Sequence, residues 1–135
     1  MHPNDVELIR IYTREANTLT EDVTMVTGKA FDLLVEAEVG TALFGNGGKF
    51  SVQVIIRDFT ANSTVIHTDT LSDTFGGAWA RLKETFLFIV PASVIEGRAN
   101  HILEAHAILS ADRVGYTNAK DVSFVRSRLF TVNAP

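Results

Sequence analysis

Residues 97–132 read GRANHILEAHAILSADRVGYTNAKDVSFVRSRLFTV. A glycine corner at Gly97 precedes a run in which His101, Leu103, Ala105, Ala107 and Leu109 share one parity. A polar stretch with Gly115 and Asn118 follows, and the segment closes on Leu129-Phe130-Thr131-Val132. A period of two sends successive side chains to opposite faces of an extended strand. The stretch therefore encodes two strands, Ile102 to Leu109 and Val122 to Val132, joined by a long hairpin loop from Ser110 to Asp121.

The same pattern extends toward the N-terminus. Phe31, Leu33, Val35, Ala37 and Val39 alternate with Asp32, Glu36 and Glu38, as in a strand with one buried face. Gly45-Asn46-Gly47-Gly48 then makes a turn, because glycine and asparagine tolerate positive φ, and hands over to Phe50, Val52, Val54 and Ile56. Val6 to Thr13 reads as an edge strand, Val23 to Thr27 as a short one, and Val65 to Leu71 as a threonine-rich edge. Residues 78–90 are ambiguous. Trp79, Leu82 and Phe86 fit a helical stripe, whereas Ala80, Leu82, Phe86, Phe88 and Val90 fit period two with Glu84 as the exception. A strand fits better, and Pro91 ends it because proline cannot donate to a ladder.

The spacing predicts an all-β, two-sheet antiparallel sandwich of about eight strands. Its core comes from Phe31, Leu33, Val35, Val52, Val54, Ile56, Leu82, Phe86, Phe88, Leu103, Ala105 and Leu109. The proline that ends one strand, the glycine before the next, the alternating small and apolar residues and the terminal Phe130-Thr131-Val132 resemble an immunoglobulin-like or fibronectin-III-like sandwich over residues 30–132. That family often carries a tyrosine at the start of the penultimate strand; His101 stands there, and the resemblance implies a hydrogen-bonded corner residue. The inter-sheet cysteine pair is absent. The resemblance implies a fold and no chemistry.

Composition narrows the class. The chain has 135 residues, enough for one domain, read as residues 1–135 with edge strands and connections in 1–30 and the sandwich core in 31–132. Its 46% hydrophobic and 21% charged content is that of an ordered globular protein. With no cysteine there is neither a disulfide nor a thiol nucleophile. The net charge of −4 comes from 16 acidic and 12 basic residues without a run of one sign, which points away from nucleic acid. The longest apolar run, Phe86 to Ala92, is far short of the roughly 18 residues that span a bilayer, so no membrane insertion is expected. The polar start and the lack of cysteine point to the cytoplasm, with a secreted or surface location the alternative if the chain has been trimmed.

Signals for chemistry are sparse. His101 and His106 lie on opposite faces of one strand and cannot hold one ion together. Asp58, Asp69, Asp73, Asp112 and Asp121 sit near loops, yet no Asp-x-Asp cluster of the kind calcium uses occurs. The expectation is no cofactor, no metal and no catalytic residue. Asn62-Ser63-Thr64 matches a glycosylation sequon but reads equally as a polar turn. Trp79, Tyr12 and Tyr116 could stack on sugar only if exposed on one side, although a lone tryptophan near a strand end more often joins the core.

The outward faces say more. Ile55, Arg57 and Phe59 share the solvent parity of one strand, and Ile102, Glu104, His106 and Ile108 that of another. In the last strand Val122, Phe124, Phe130 and Val132 share a parity with Arg126 and Arg128, which would bury two arginines unless a bulge switches register before Phe130. A bulge costs far less than unpaired buried charge, so one is expected there. Neighbouring outer strands then assemble an interface of Ile55, Arg57, Phe59, Glu104, His106, Arg126 and Arg128. Large apolar side chains rimmed by charge are typical of contact surfaces. This predicts a non-enzymatic module for protein–protein contact, most simply a homo-oligomer about a two-fold axis. A carbohydrate-binding module is the alternative and a hydrolase a distant one. Within one chain, residues 1–30 folding across the same face would satisfy it equally.

Overall fold

The computed structural model describes residues 5–112 and 120–135. Within them the strands are β1 (Val6–Glu15), β2 (Thr24–Val26), β3 (Phe31–Val39), β4 (Lys49–Asp58), β5 (Thr64–Thr74), β6 (Lys83–Val90), β7 (Ile102–Asp112), β8 (Lys120–Arg126) and β9 (Phe130–Asn133). One short helix, α1 (Thr41–Gly45), and a 3₁₀ turn (Ala92–Ile95) complete the regular structure. The strands form a β-sandwich. One sheet has the order β1-β3-β6, and the other runs β2-β9-β7-β4-β5, with β8 pairing β7.

Alternation builds both inner faces. Phe31, Leu33, Val35, Ala37 and Val39 of β3 and Phe86, Phe88 and Val90 of β6 are buried against Phe50, Val52, Val54 and Ile56 of β4 and Leu103, Ala105, Ala107 and Leu109 of β7. At one end an aromatic group closes the core: Trp79 meets Phe50 edge-on at 5.1 Å between ring centroids and Phe86 at 5.4 Å, with Phe75 beside them. The loop carrying Trp79 is folded by Asp73, whose carboxylate accepts the N–H groups of Thr74 and Ala78. Those bonds hold the Asp73 carboxyl below its ordinary range. A Cβ on Gly77 would stand 2.7 Å from Asp73 Oδ2, so only glycine fits there without displacing the carboxylate.

Three expectations are corrected. Leu82 is exposed rather than core, because the turn after Trp79 ends with β6 starting at Lys83, and the period-two parity does not extend back through it. The expected Gly45–Gly48 turn is shorter, at Asn46 and Gly47, because Gly45 is the last residue of α1, whose Leu43 is buried in the core. The closing strand is two strands, not one: β8 pairs β7 from His106 to Asp112, and β9 pairs β7 at Ile102 and Leu103.

The break between β8 and β9 is the expected register switch, and the structure shows how it is made. Ser127 donates its N–H to the Ala105 carbonyl at 2.8 Å, and the Ala105 N–H donates to Ser127 Oγ at 2.9 Å. The Ser127 hydroxyl in turn donates to the Arg128 carbonyl at 2.7 Å. A side-chain oxygen thus takes the place of a missing backbone acceptor. Before the break Val122, Phe124 and Arg126 face out; after it Phe130 and Val132 face in.

Ser127→Ala would leave the buried Ala105 N–H without its acceptor and should cost roughly 1–3 kcal/mol in chemical denaturation. Threonine at 127, which keeps the hydroxyl, should recover most of that loss. Equal stability of the alanine variant and the wild type would show that the clamp does not hold the switch.

Candidate interaction face

Register places the expected residues. On the outer face of the larger sheet, Ile55 of β4 stands opposite His106 of β7, and His106 opposite Arg126 of β8, so the three form one cross-strand row. Arg57 stands opposite Glu104 in the next row. Phe59 and Arg128 lie just beyond the strands. Phe59, one residue past β4, is fixed by its N–H to the Ile102 carbonyl at 2.9 Å, and Arg128 sits exposed in the break after Ser127. The face therefore unites five of the seven residues in two rows, with the other two at its end.

Sequence reasoning underweighted the most exposed apolar groups on this face. Val122 is 73% and Phe124 53% exposed, and Phe124 is level with the exposed Ile108 of β7. The signal was the parity that they share with Arg126. Residues 5–30 do not cover the face: β1 pairs β3 in the opposing sheet, and β2 extends β9.

The charges are ordered. Glu104 is buried on this outer face and accepts His106 Nε2 at 2.8 Å, while the His106 ring meets Phe124 edge-on at 5.5 Å. The only carboxylate in the Arg57 row is thus already engaged. The Arg57 guanidinium donates to the Ser63 carbonyl at 3.0 Å. At the other end Lys120 pairs with Asp112, and the Lys49 N–H also donates to that carboxylate. The Lys120 bond leads in holding the Asp112 carboxyl below the usual range. Among the described residues neither Arg126 nor Arg128 has an ion-pair partner.

A buried ionic corner anchors the same two strands. The Asp58 carboxylate, fully buried at the end of β4, receives Arg98 Nη1 at 2.7 Å and pairs with His101 Nδ1 at 2.6 Å; Ala61 N–H donates to its other oxygen at 3.2 Å. His101 is thus the corner residue the resemblance implied, with a side-chain partner from β4. Burial pushes the Asp58 carboxyl up, but the bonds from His101, Arg98 and Ala61 outweigh it and hold the group below its ordinary range.

Elsewhere Trp79 joins the core, as expected of a lone tryptophan near a strand end, and does not stand beside Tyr12. Trp79 is fully buried in the aromatic group, and Tyr12 lies on the outer face of the opposing sheet beneath the Arg10 guanidinium at 4.0 Å. Tyr116 lies outside the described residues. Among those described, no three His, Asp or Glu side chains converge as a metal site would require, and no helix is long and apolar enough to cross a membrane. His67 is on β5, where burial lowers its pKa and its Nε2 has no partner among the described residues. Asn62 and Ser63 both adopt left-handed backbone in the turn between β4 and β5, as a polar turn does.

No family model and no curated protein sequence matches the chain. Solved structures do. The C-terminal domain of Wzt superposes with a TM-score of 0.61 at 10% identity, covering 96% of this chain and 74% of that one. AggA, the major subunit of aggregative adherence fimbriae type I from Escherichia coli, gives 0.44 at 8% identity over 98% of each chain. Spo0M, a sporulation control protein from Bacillus subtilis, gives 0.42 at 13% identity over 93% of this chain and 49% of that one. The Wzt domain shares the fold; identity this low carries nothing of the activity.

Because Asp58 titrates lower in the folded state than in the unfolded one, its ionic contribution is present above its unfolded pKa of about 4 and is lost as pH falls through the folded pKa. Asp58→Asn should therefore be less stable than the wild type by roughly 1.5–3 kcal/mol at neutral pH, with the gap closing in acid. Denaturation midpoints measured from neutral pH down to strongly acidic conditions check this. A gap that stays constant over the whole range would mean that the carboxylate charge is not what the corner uses.

Proposed function

We propose that the protein is a non-enzymatic, immunoglobulin-like sandwich module, a single unit over residues 1–135, that works by self-association through the outer face of β4, β7 and β8. The observation that carries this reading is the set of exposed apolar side chains, Val122, Phe124 and Ile108, on a regular sheet face that no other part of the described chain covers. Apolar area left in water costs about 25 cal/mol per Å², so a covering surface is favoured.

Charge placement favours a second copy as the cover. Basic residues stand at the two ends of β4, Lys49 and Arg57, and acidic residues stand level with them on β7, Asp112 and Glu104. A two-fold axis parallel to the strands and midway between β4 and β7 preserves the rows and exchanges the two strands. It sets Lys49 over Asp112 of the other copy and Arg57 over its Glu104, while Phe124 lands on the threonine-rich β5. Opposite charges then meet at both ends of a mixed centre in which Ile55 and Ile108 stand among Ser51, Gln53, His106 and Ser110, and such placement makes an isologous interface self-complementary. The acids are already paired within the chain, so this arrangement sets orientation more than affinity.

Phe124→Asp tests the reading without disturbing the core, because the side chain already lies outside. Sedimentation should give a concentration-dependent dimer for the wild type and a folded species of lower association for the variant. A wild-type protein that stays monomeric at high concentration would overturn self-association. A variant that associates as the wild type does would exclude this face.

A further inference from the structure

We infer that the free edge of β6 is a second assembly site, one that pairs antiparallel with β6 of another copy about a two-fold axis. The inference does not depend on the proposed face contact, because β6 belongs to the opposite sheet.

An edge strand presents a row of unpaired N–H and C=O groups, and proteins normally guard such rows with charge, proline, a bulge or cover. The other edges here are guarded, β8 by the charges of Lys120, Asp121 and Arg126. β1 is bulged between Leu8 and Arg10, and its Leu8 N–H is taken by Ser123 Oγ of β8 at 3.0 Å. β5 carries Asp69 and Asp73 and has its own register shift against β4. β2 is three residues long.

β6 is guarded only at its start, where Lys83 and Glu84 stand and the Glu84 carboxylate accepts the Thr85 N–H at 3.2 Å; beyond Thr85 it has none of these devices. Its pairing with β3 runs without a shift from Phe31↔Val90 to Glu38↔Lys83, and from Thr85 to Val90 it contains no charge and no proline. Among the described residues its only strand partner is β3. In an antiparallel ladder alternate residues turn both backbone groups away from the neighbour, so half of the β6 groups point to the open edge. The side chains beside that edge are apolar: Leu87 is 51% and Ile89 61% exposed on the outer face.

The outer face also supplies a register. Tyr12 of β1, Leu34 of β3 and Leu87 of β6 form one cross-strand row in which Leu34 is buried. Pairing Leu87 with Leu87 of the other copy continues that row across the axis. It sets Ile89 beside Thr85 and Phe86 beside Phe88, and it leaves Lys83 at the rim, where its charge stays hydrated. A strand with this composition is complementary to itself, so no foreign strand is needed. The joined sheet would have the order β1-β3-β6-β6-β3-β1. Eight residues of edge make a small interface, which implies weak, concentration-dependent pairing.

Hydrogen exchange on the wild-type protein reads the edge directly. Over residues 86–90, beyond the Thr85 amide that Glu84 already holds, the amides not bonded to β3 should exchange freely in dilute solution and slow by about tenfold or more at high concentration. Ile89→Lys and Leu87→Lys change only exposed side chains; each should abolish that slowing and leave the rest of the exchange pattern intact. In a Phe124→Asp background the slowing should persist, which separates this site from the face. Exchange that does not depend on concentration would overturn the inference: uniformly fast amides would mean that the edge stays open, and uniformly slow ones that the chain covers its own edge. Slowing that survives both lysine variants would also overturn it, because another surface would then carry the association.

Discussion

The pair of hydrogen bonds between Ser127 and Ala105 is the constraint on which the rest of the molecule depends. Without a break there, one continuous strand would put Val122, Phe124, Arg126, Arg128, Phe130 and Val132 on the same side. Two guanidinium groups would then enter the core, or two core residues would leave it, and either cost is several kcal/mol. Ser127 resolves the conflict by donating its own N–H to Ala105 and lending its hydroxyl as the acceptor for the Ala105 N–H. Phe130 and Val132 close the core, and Phe130 packs edge-on against Phe31 of the opposite sheet at 5.8 Å. The same switch turns Val122 and Phe124 outward and so creates the face.

Among the described residues, buried charge stands at the ends and margins of strands, where partners reach it. Asp58 caps β4 with Arg98 and His101; Asp32 on β3 takes Arg14 at 3.0 Å; Glu104 takes His106. Of these the Asp58 corner has the widest consequence. It ties the end of β4 to the chain just before β7, and the rows Ile55–His106 and Arg57–Glu104 inherit their register from that junction. An ionic contact 43 residues apart in sequence thus closes the end of the unbroken β4–β7 ladder that spaces the exposed residues of the proposed interface.

Much of the sheet architecture was legible because β3, β4 and β7 alternate cleanly and each has one buried face. The register switch was legible for the same reason, since Arg126 and Arg128 break an otherwise apolar parity. What escaped depended on contacts between distant segments. Asp58 looked like one of several loop aspartates, and nothing local marks it as the partner of His101. Trp79 lies in a turn whose shape comes from Asp73 and Gly77, so its complete burial could not be read from spacing, and the same turn carried Leu82 out of the core. Helix α1 is five residues long, too short to show a helical period. On the face itself the seven named residues were chosen by parity; Val122 and Phe124 stood in plain view, but their exposure depends on where Ser127 places the break.

Hydroxyl-radical footprinting of the aromatic side chains as a function of protein concentration tests the central claim, that one switch both closes the core and exposes the contact face. In dilute solution Phe124 should be modified readily and Phe130 hardly at all, and raising the concentration should suppress modification of Phe124 alone. Equal reactivity of the two phenylalanines would contradict the switch, and a Phe124 reactivity unaffected by concentration would contradict the contact.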